Sequence, residues 1–471
     1  MLRDEADLPC PLLTSLIIPT KIDVGKRTRL FEIRALRRVL SECSRLVDMG
    51  YLDEIIIVDG SRDKQGAADY TILQEVVKLA FDSLSLFRIQ VDLINEYPAE
   101  RVKARRGFFD FIVKAVHQFD KNILDVLTKY GIHRISGFPQ VPPGKEILRK
   151  LISLSPRMRG ISSFPQMPPG KGTALWLSIP IAQGDILCFI DSDIRNFTRK
   201  YVAALCDPMI QSWAADSPIK LVKAYYRRLT YSFEPGLPQG RHRLGGRVSR
   251  LFMRPLLKIL SEEYPEVFGG LNTLRFPLSG EQAIRKDLVE SMRFPTNYAI
   301  EISLLAQLKK WAELSSMRQV DFELLYHIGQ SSRELVNMVS QITYCVMDIL
   351  EENKIHLSEE DVHDLISQYK EEAMAMMPYY QKMFQKTKDR VARLFKGDLF
   401  HSEDSDKRTI DLFFEAFEKA LRGRKRGKTD FRLPPWSEIR EKTDYHAVSQ
   451  LLRIRSNQST QSRLREVGLT T

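Results

Sequence analysis

Asp185-Ile186-Leu187-Cys188-Phe189-Ile190-Asp191-Ser192-Asp193 is a short apolar run closed by two carboxylates. The apolar stretch is too short for a helix and has no polar face, so it reads as a strand buried on both sides, as parallel strands are. Glu54-Ile55-Ile56-Ile57-Val58-Asp59 reads the same way, and Gly60-Ser61-Arg62-Asp63 then turns the chain. Leu16-Ile17-Ile18-Pro19 is a first strand ended by proline. Between these two, Leu30, Ile33, Leu36, Leu40, Cys43 and Val47 recur at three- and four-residue spacing, which predicts an amphipathic helix within 27–52. A second helix is expected over 72–87 and a further strand over 87–94. Strand–helix–strand alternation of this kind predicts an α/β domain with a mostly parallel sheet flanked by helices.

Outward from this pattern the chain changes character. The stretch 98–169 is long for a connection between strands. It holds a repeat: Ile135-Ser136-Gly137-Phe138-Pro139-Gln140-Val141-Pro142-Pro143-Gly144-Lys145 returns at 161–171 with nine of eleven positions identical. Two copies do not make a solenoid. A local duplication is the simpler reading, with one Gly-Lys functional and one spare. From 334 to about 395 the pattern is helical, with Leu335, Met338, Ile342, Val346 and Leu350 on one face. The remainder is charged, with a basic run over 422–428 and a polar end from Ser456 that reads as prone to disorder.

The 471 residues carry 71 Lys and Arg against 60 Asp and Glu, a net charge of +11. That length suggests two or three domains, or one with additions. With 43% hydrophobic and 28% charged residues, disordered, collagen-like and disulfide-framework classes are excluded. The positive excess suits an anionic partner: nucleic acid, an anionic membrane surface or a phosphorylated small molecule. The cysteines, Cys10, Cys43, Cys188, Cys206 and Cys345, form no C-x-x-C pair. Scattered buried thiols in a reducing cytoplasm are therefore expected, rather than a zinc site or redox dithiol. No run approaches the ~20 apolar residues of a transmembrane helix.

Several motifs carry chemistry. Asp191 and Asp193 end a buried strand, where two carboxylates can share a divalent cation and a nucleotide; Mg²⁺ or Mn²⁺ suits such hard oxygen ligands. Their bland alternative is an acidic strand end. Asp59-Gly60-Ser61 lies where open α/β sheets bind ligands, and is also an ordinary turn with a helix cap. Gly170-Lys171-Gly172 offers an ammonium and free amides to a phosphate, without the spacing of a Walker A loop. Gly245-Gly246-Arg247-Val248-Ser249-Arg250 precedes a helical run and suits an anion, or is a solvated basic turn. His327 alone reads as a structural histidine, and Glu281 and Glu301 alone read as solvated acids.

In combination these blocks resemble the GT-A glycosyltransferases, and within them the glucosyl-3-phosphoglycerate synthase family. Residues 53–63, 169–176, 184–197, 221–228, 245–257, 276–281 and 294–305 carry the resemblance, in that order, across about 16–349. It implies a Rossmann-like GT-A fold over 12–333; the insertion 98–169 and the charged basic tail over 396–471 lie outside what it matches, and a helical extension over 334–395 is expected from the pattern. It implies a hexosyltransferase that moves glucose, with retention, from UDP- or GDP-glucose to the 2-hydroxyl of 3-phosphoglycerate.

By the same resemblance Asp193 and His327 would hold Mg²⁺ or Mn²⁺. Pro19, Asp59, Ser61, Lys171, Asp191 and Ser192 would bind the donor, and Gly246, Arg247, Val248 and Ser249 the acceptor. Glu281 would contact the transferred sugar and, with Asp193, form the catalytic pair. The implied mechanism is front-side: the acceptor attacks the face that the nucleotide leaves, and a donor phosphate oxygen takes the proton. A cytoplasmic homodimer without a nucleic-acid partner is also implied. The chain departs from the family at Pro19-Thr20-Lys21-Ile22-Asp23, where an Asn/Asp-Glu-Glu segment is usual, so the donor base stays open. Ile328-Gly329-Gln330 stands where Arg-Asn-Gln is usual, and Ser249 replaces Thr with the hydroxyl kept. Two competing functions remain at this level. One is a related enzyme that uses mannose or a lipid-phosphate acceptor at a membrane surface. The other is a nucleic-acid module built on the basic tail, which would bind with strong salt dependence.

Overall fold

The computed structural model describes residues 12–26, 28–65, 69–76, 113–117, 125–126, 129, 170–231, 242–395, 399–423 and 432–466. The strands are β1 (Thr14–Thr20), β2 (Glu54–Asp59), β3 (Val113–His117), β4 (Ile186–Phe189), β5 (Leu221–Tyr231), β6 (His242–Leu244), β7 (Gln282–Arg285), β8 (Phe294–Pro295), β9 (Met317–Ile328), β10 (Leu399–Phe400) and β11 (Arg432–Leu433). The longer helices are α1 (Arg29–Asp48), α2 (Lys171–Ile181), α3 (Lys200–Gln211), α4 (Arg254–Glu263), α5 (Ile300–Trp311), α6 (Ser332–Glu352), α7 (Glu359–Ala375), α8 (Met377–Phe395), α9 (Glu403–Gly423), α10 (Trp436–Lys442) and α11 (Tyr445–Glu466).

Nine strands form one sheet in the order β10-β6-β5-β7-β4-β1-β2-β3, with β9 also paired to β5. It is a mixed, mostly parallel sheet: five pairings are parallel and three antiparallel. Burial explains the parallel half. Along β1, Leu16 and Ile18 face one core cluster while Ile17 faces the other. Ile55 and Ile57 alternate with Ile56 and Val58 in the same way along β2, and Cys188 alternates with Leu187 and Phe189 along β4. Side chains leave a strand on opposite faces, so a strand covered on both sides must be apolar throughout. Register then fixes the site: Thr20 pairs with Asp59, and Ile17 with Phe189. The chain therefore leaves β1, β2 and β4 at one edge, carrying Asp59-Gly60-Ser61 and Asp191-Ser192-Asp193 to the same place.

Two expectations are corrected. The strand beside β2 is β3, inside the stretch 98–169, which therefore contributes to the sheet rather than standing apart from it. The segment expected to be a strand, 87–94, lies outside the described residues, as do the first repeat copy and residues 424–428 of the basic run. The second correction concerns 396–471. Its described part is no tail: α9, α10 and α11 are helices, and Phe413, Phe417, Trp436, Ile439, Val448 and Leu452 are buried in the same cluster as Trp176 and Leu187. The charges that dominate its composition hide an apolar face at helical spacing, Ile410, Phe413 and Phe417. Ser456, the start of the expected polar end, is buried in α11 and donates to the Leu452 carbonyl at 2.7 Å.

The helical extension is likewise continuous with the core. Ile342, Val346 and Leu350 of α6 join the cluster that covers one face of the sheet. Ser331 caps α6, accepting from the Glu334 amide while the Glu334 carboxylate accepts from the Ser331 amide. That cap starts α6 immediately after β9 and its His327, at the edge of the site.

Candidate active site

A cleft of about 520 Å³ opens at the carboxyl ends of the parallel strands. Pro19, Gly60, Lys171, Asp191, Ser192, Asp193, Arg228 and Arg247 all line it. Sequence blocks more than two hundred residues apart thus meet in one concavity, where open α/β sheets bind ligands.

Lys171 begins α2. Its ammonium lies 2.7 Å from Asp191 Oδ1 and 2.8 Å from Glu301 Oε1. Burial alone would lower its pKa, but these two carboxylates outweigh burial and raise it well above the usual lysine value. The glycines on either side are required by close packing. A Cβ at Gly170 would stand 1.8 Å from the Thr296 carbonyl oxygen, and one at Gly172 would stand 1.7 Å from that of Pro295. The helix start can therefore nest against Pro295 and Thr296, beside the cleft that Gly170 and Lys171 line.

Asp59 and Ser61 are fully buried behind Gly60. The Asp59 carboxylate accepts from Thr20 Oγ1 and from Ser61 Oγ, each at 2.6 Å. Burial pushes Asp59 up to about 7, against the lowering effect of those hydrogen bonds.

On the opposite wall, Asp193 Oδ1 lies 3.0 Å from His327 Nδ1. Burial would raise Asp193, but His327 beside it, helped by Arg228 and Lys171, outweighs burial and holds the carboxyl well below the usual range. His327 is 1% exposed, and its Nε2 is buried without a hydrogen-bond partner. Among the described residues no group of three or more His, Cys, Asp or Glu gathers as a metal cage. An ion at Asp193 and His327 would thus take two protein ligands and draw the others from a bound diphosphate or water. A carboxylate kept ionised beside an imidazole with an unused buried nitrogen fits Mn²⁺ or Mg²⁺ in that role.

Glu281 lies beneath the cleft and is fully buried, not solvated. Tyr226 donates its hydroxyl to Glu281 Oε2 at 2.7 Å, while Oε1 is buried without a partner. Burial, and then Asp191, raise the Glu281 pKa. The loop expected to bind the acceptor divides. Arg247 reaches the cleft and donates to the Gln330 carbonyl at 3.1 Å. Gly246 turns the chain with φ +69°, where a Cβ would stand 2.9 Å from the Phe276 ring. Val248 and Ser249 are buried in a π-helical turn, Val248–Met253. Ser249 faces a neighbouring, smaller cleft instead of the main one, because side chains two apart on a helical turn point in different directions.

Three residues at or beside the site are absent from the sequence-based assignments. Arg228 lines the cleft from β5. Glu301 shares Lys171 with Asp191. Lys223 is buried under the site, where it donates to the Ser279 carbonyl at 2.7 Å and to Gln282 Oε1 at 3.1 Å. The one available signal was Lys223 itself, a charge inside the otherwise apolar start of β5.

No protein-family model matches the chain. Glucosyl-3-phosphoglycerate synthase of Petrotoga mobilis is 35% identical over 44% of this chain and 60% of its own length. The enzyme of the same name from Mycolicibacterium paratuberculosis is 34% identical over 36% of this chain and 48% of its own length. A crystal structure of glucosyl-3-phosphoglycerate synthase from Mycobacterium tuberculosis, in complex with Mn²⁺, UDP and glucosyl-3-phosphoglycerate, aligns with TM-score 0.44 and 24% identity, covering 74% of this chain and 82% of that one. The chain is similar to glucosyl-3-phosphoglycerate synthases, and it spans 60% and 48% of the length of the two curated relatives named here.

Proposed function

We propose that the chain transfers glucose, with retention of configuration, from a nucleoside diphosphate glucose to the 2-hydroxyl of 3-phosphoglycerate. The observation that carries this is one cleft lined by Lys171, Asp191, Asp193, Arg228 and Arg247, with His327 buried behind Asp193. The similarity to curated glucosyl-3-phosphoglycerate synthases supports the same reaction.

Each residue has work suited to its chemistry. Lys171 presents a charged ammonium to the donor phosphates, and Asp191 and Glu301 fix where it points. Asp193 and His327 would hold Mg²⁺ or Mn²⁺, which when bound offsets the charge of the departing diphosphate. Arg247 and Arg228 are placed to grip the carboxylate and phosphate of the acceptor, since guanidinium groups bind both through paired hydrogen bonds. The 2-hydroxyl oxygen bonds to the anomeric carbon as the bond from that carbon to the phosphate oxygen breaks. The hydroxyl proton passes to that departing oxygen, and the nucleoside diphosphate leaves from the same face. Glu281 suits a hydrogen bond to the sugar better than nucleophilic attack, because a buried carboxyl with raised pKa is a weak nucleophile.

Among the described residues no helix is long and apolar enough to cross a membrane, and Cys43, Cys188, Cys206 and Cys345 are free buried thiols. The buried free thiols support a reducing compartment, and a homodimer belongs to the same proposal. Titration calorimetry of UDP tests the assignment of donor and metal. The wild-type chain should bind UDP more tightly with Mn²⁺, and Asp193→Asn should lose that enhancement by about tenfold or more. UDP affinity indifferent to Mn²⁺ in the wild type would refute the Asp193–His327 assignment.

A further inference from the structure

On the far side of the acceptor loop lies a second cleft of about 250 Å³. Arg227, Arg228, Arg254 and Arg275 converge on it beside Arg250, which pairs with Asp406, and Asp321 is the one carboxylate among the described residues that line it. The side chains of Arg227 and Arg228 make no hydrogen bond or ion pair among the described residues, although the Arg228 carbonyl accepts from the Gly245 amide at 2.7 Å. Arg254 stacks on the Tyr379 ring at 5.3 Å, and Arg275 lies over the Tyr225 ring at 4.6 Å. The backbone explains the crowding. A register shift between Tyr225 and Arg227 breaks the alternation of β5 against β9, so residues 225–228 all reach this one cleft. Guanidinium groups held together against aromatic faces, with a single acid among them, create a focused positive potential. The volume is below the roughly 300–1,000 Å³ of sites for drug-sized ligands, so the occupant is small.

We propose that this cleft is a second anion site that takes a small phosphate-bearing ligand, distinct from the donor and acceptor positions of the main cleft. The proposal stands on the arginine cluster and does not depend on which sugar or acceptor the main cleft uses. The site is wired to the main one. Arg228 lines both clefts, and Ser249 connects the second to the acceptor loop. The ring of Tyr226 also lines the second cleft, while its hydroxyl holds Glu281. An anion drawn onto Arg228 would therefore change the charge that Arg228 offers to the main cleft.

Calorimetric titration of the full chain with inorganic phosphate tests this, with EDTA present so that no metal contributes. The wild type should bind phosphate at a site that Arg247→Ala, in the main cleft alone, leaves intact. Arg254→Ala/Arg275→Ala should weaken that binding about tenfold or more, while Lys171→Ala leaves it within about twofold. Arg275→Ala alone, at an exposed position, carries the test should the double variant fail to fold, and should weaken binding in the same direction. The proposal is overturned if the wild type shows no binding at millimolar phosphate. It is overturned equally if Lys171→Ala or Arg247→Ala abolishes binding while Arg254→Ala/Arg275→Ala keeps it.

Discussion

Asp59 shows how much a single buried acid can report. Its carboxyl is pushed up to about 7 by burial, whereas in an unfolded chain it titrates near the ordinary value of 3.8. Between those values the native state keeps a proton that the unfolded state has released. Stability from this group is thus fully present below about 4 and is lost as pH rises through about 7. Asp59→Asn keeps an oxygen to accept from Thr20 and does not titrate. Denaturant unfolding at about pH 5 and about pH 8 should show the wild type losing roughly 2 kcal/mol more than the variant across that interval. Equal losses would mean that Asp59 is ionised in the folded protein. The positions of Asp191, Asp193 and Lys171 were legible because strand ends and a glycine-flanked lysine leave local marks. The surroundings of His327 and Glu281 were not legible from their neighbours. Each depends on a partner far along the chain, Asp193 and Tyr226, and only the family resemblance pointed to them.

The elements that carry the site are held from behind by the C-terminal helices. Trp436 of α10 stacks on Trp176 of α2 at 4.3 Å and donates to its carbonyl at 2.8 Å. Trp176 in turn donates to the Pro434 carbonyl at 2.7 Å, and β11 pairs with β8, against which Gly170 and Gly172 nest. A second brace reaches the acceptor loop. Arg250 is buried and pairs with Asp406 of α9 at 2.9 Å, and its Nε donates to the Gly245 carbonyl at 3.1 Å. On the proposed assignment these braces address different ligands, so their loss should separate in kinetics. Asp406→Asn should raise the acceptor KM several-fold with little change in donor KM. Trp436→Phe, which keeps the ring stack but loses the hydrogen bond to Trp176, should raise the donor KM instead. An effect of each variant on kcat alone, with both KM values unchanged, would show that the helices support the fold without positioning the loops. None of this was visible in the composition of 396–471, because burial of an amphipathic face depends on spacing and not on net charge.

At the scale of the whole molecule, the net charge of +11 resolves into distinct places. Lys171 is neutralised by two acids, Arg250 by one, and the arginines of β5 and its neighbours stand around two clefts. The parallel half of the sheet was legible because strands buried on both faces must be apolar. The antiparallel half was less so. β5 mixes Lys223, Arg227 and Arg228 with apolar residues, and β6 and β7 are too short to show a period. The central claim is that these places serve one transfer between a nucleotide sugar and a phosphorylated acid. Its most direct test is incubation of the full chain with Mn²⁺, UDP-glucose or GDP-glucose, and either 3-phosphoglycerate or glycerate, read by mass spectrometry. The expected result is an adduct one glucosyl unit heavier than 3-phosphoglycerate, formed with at least one of the two donors and lost in Asp193→Ala. Transfer to glycerate as fast as to 3-phosphoglycerate, or an adduct undiminished in Asp193→Ala, would contradict it, as would no adduct with either donor.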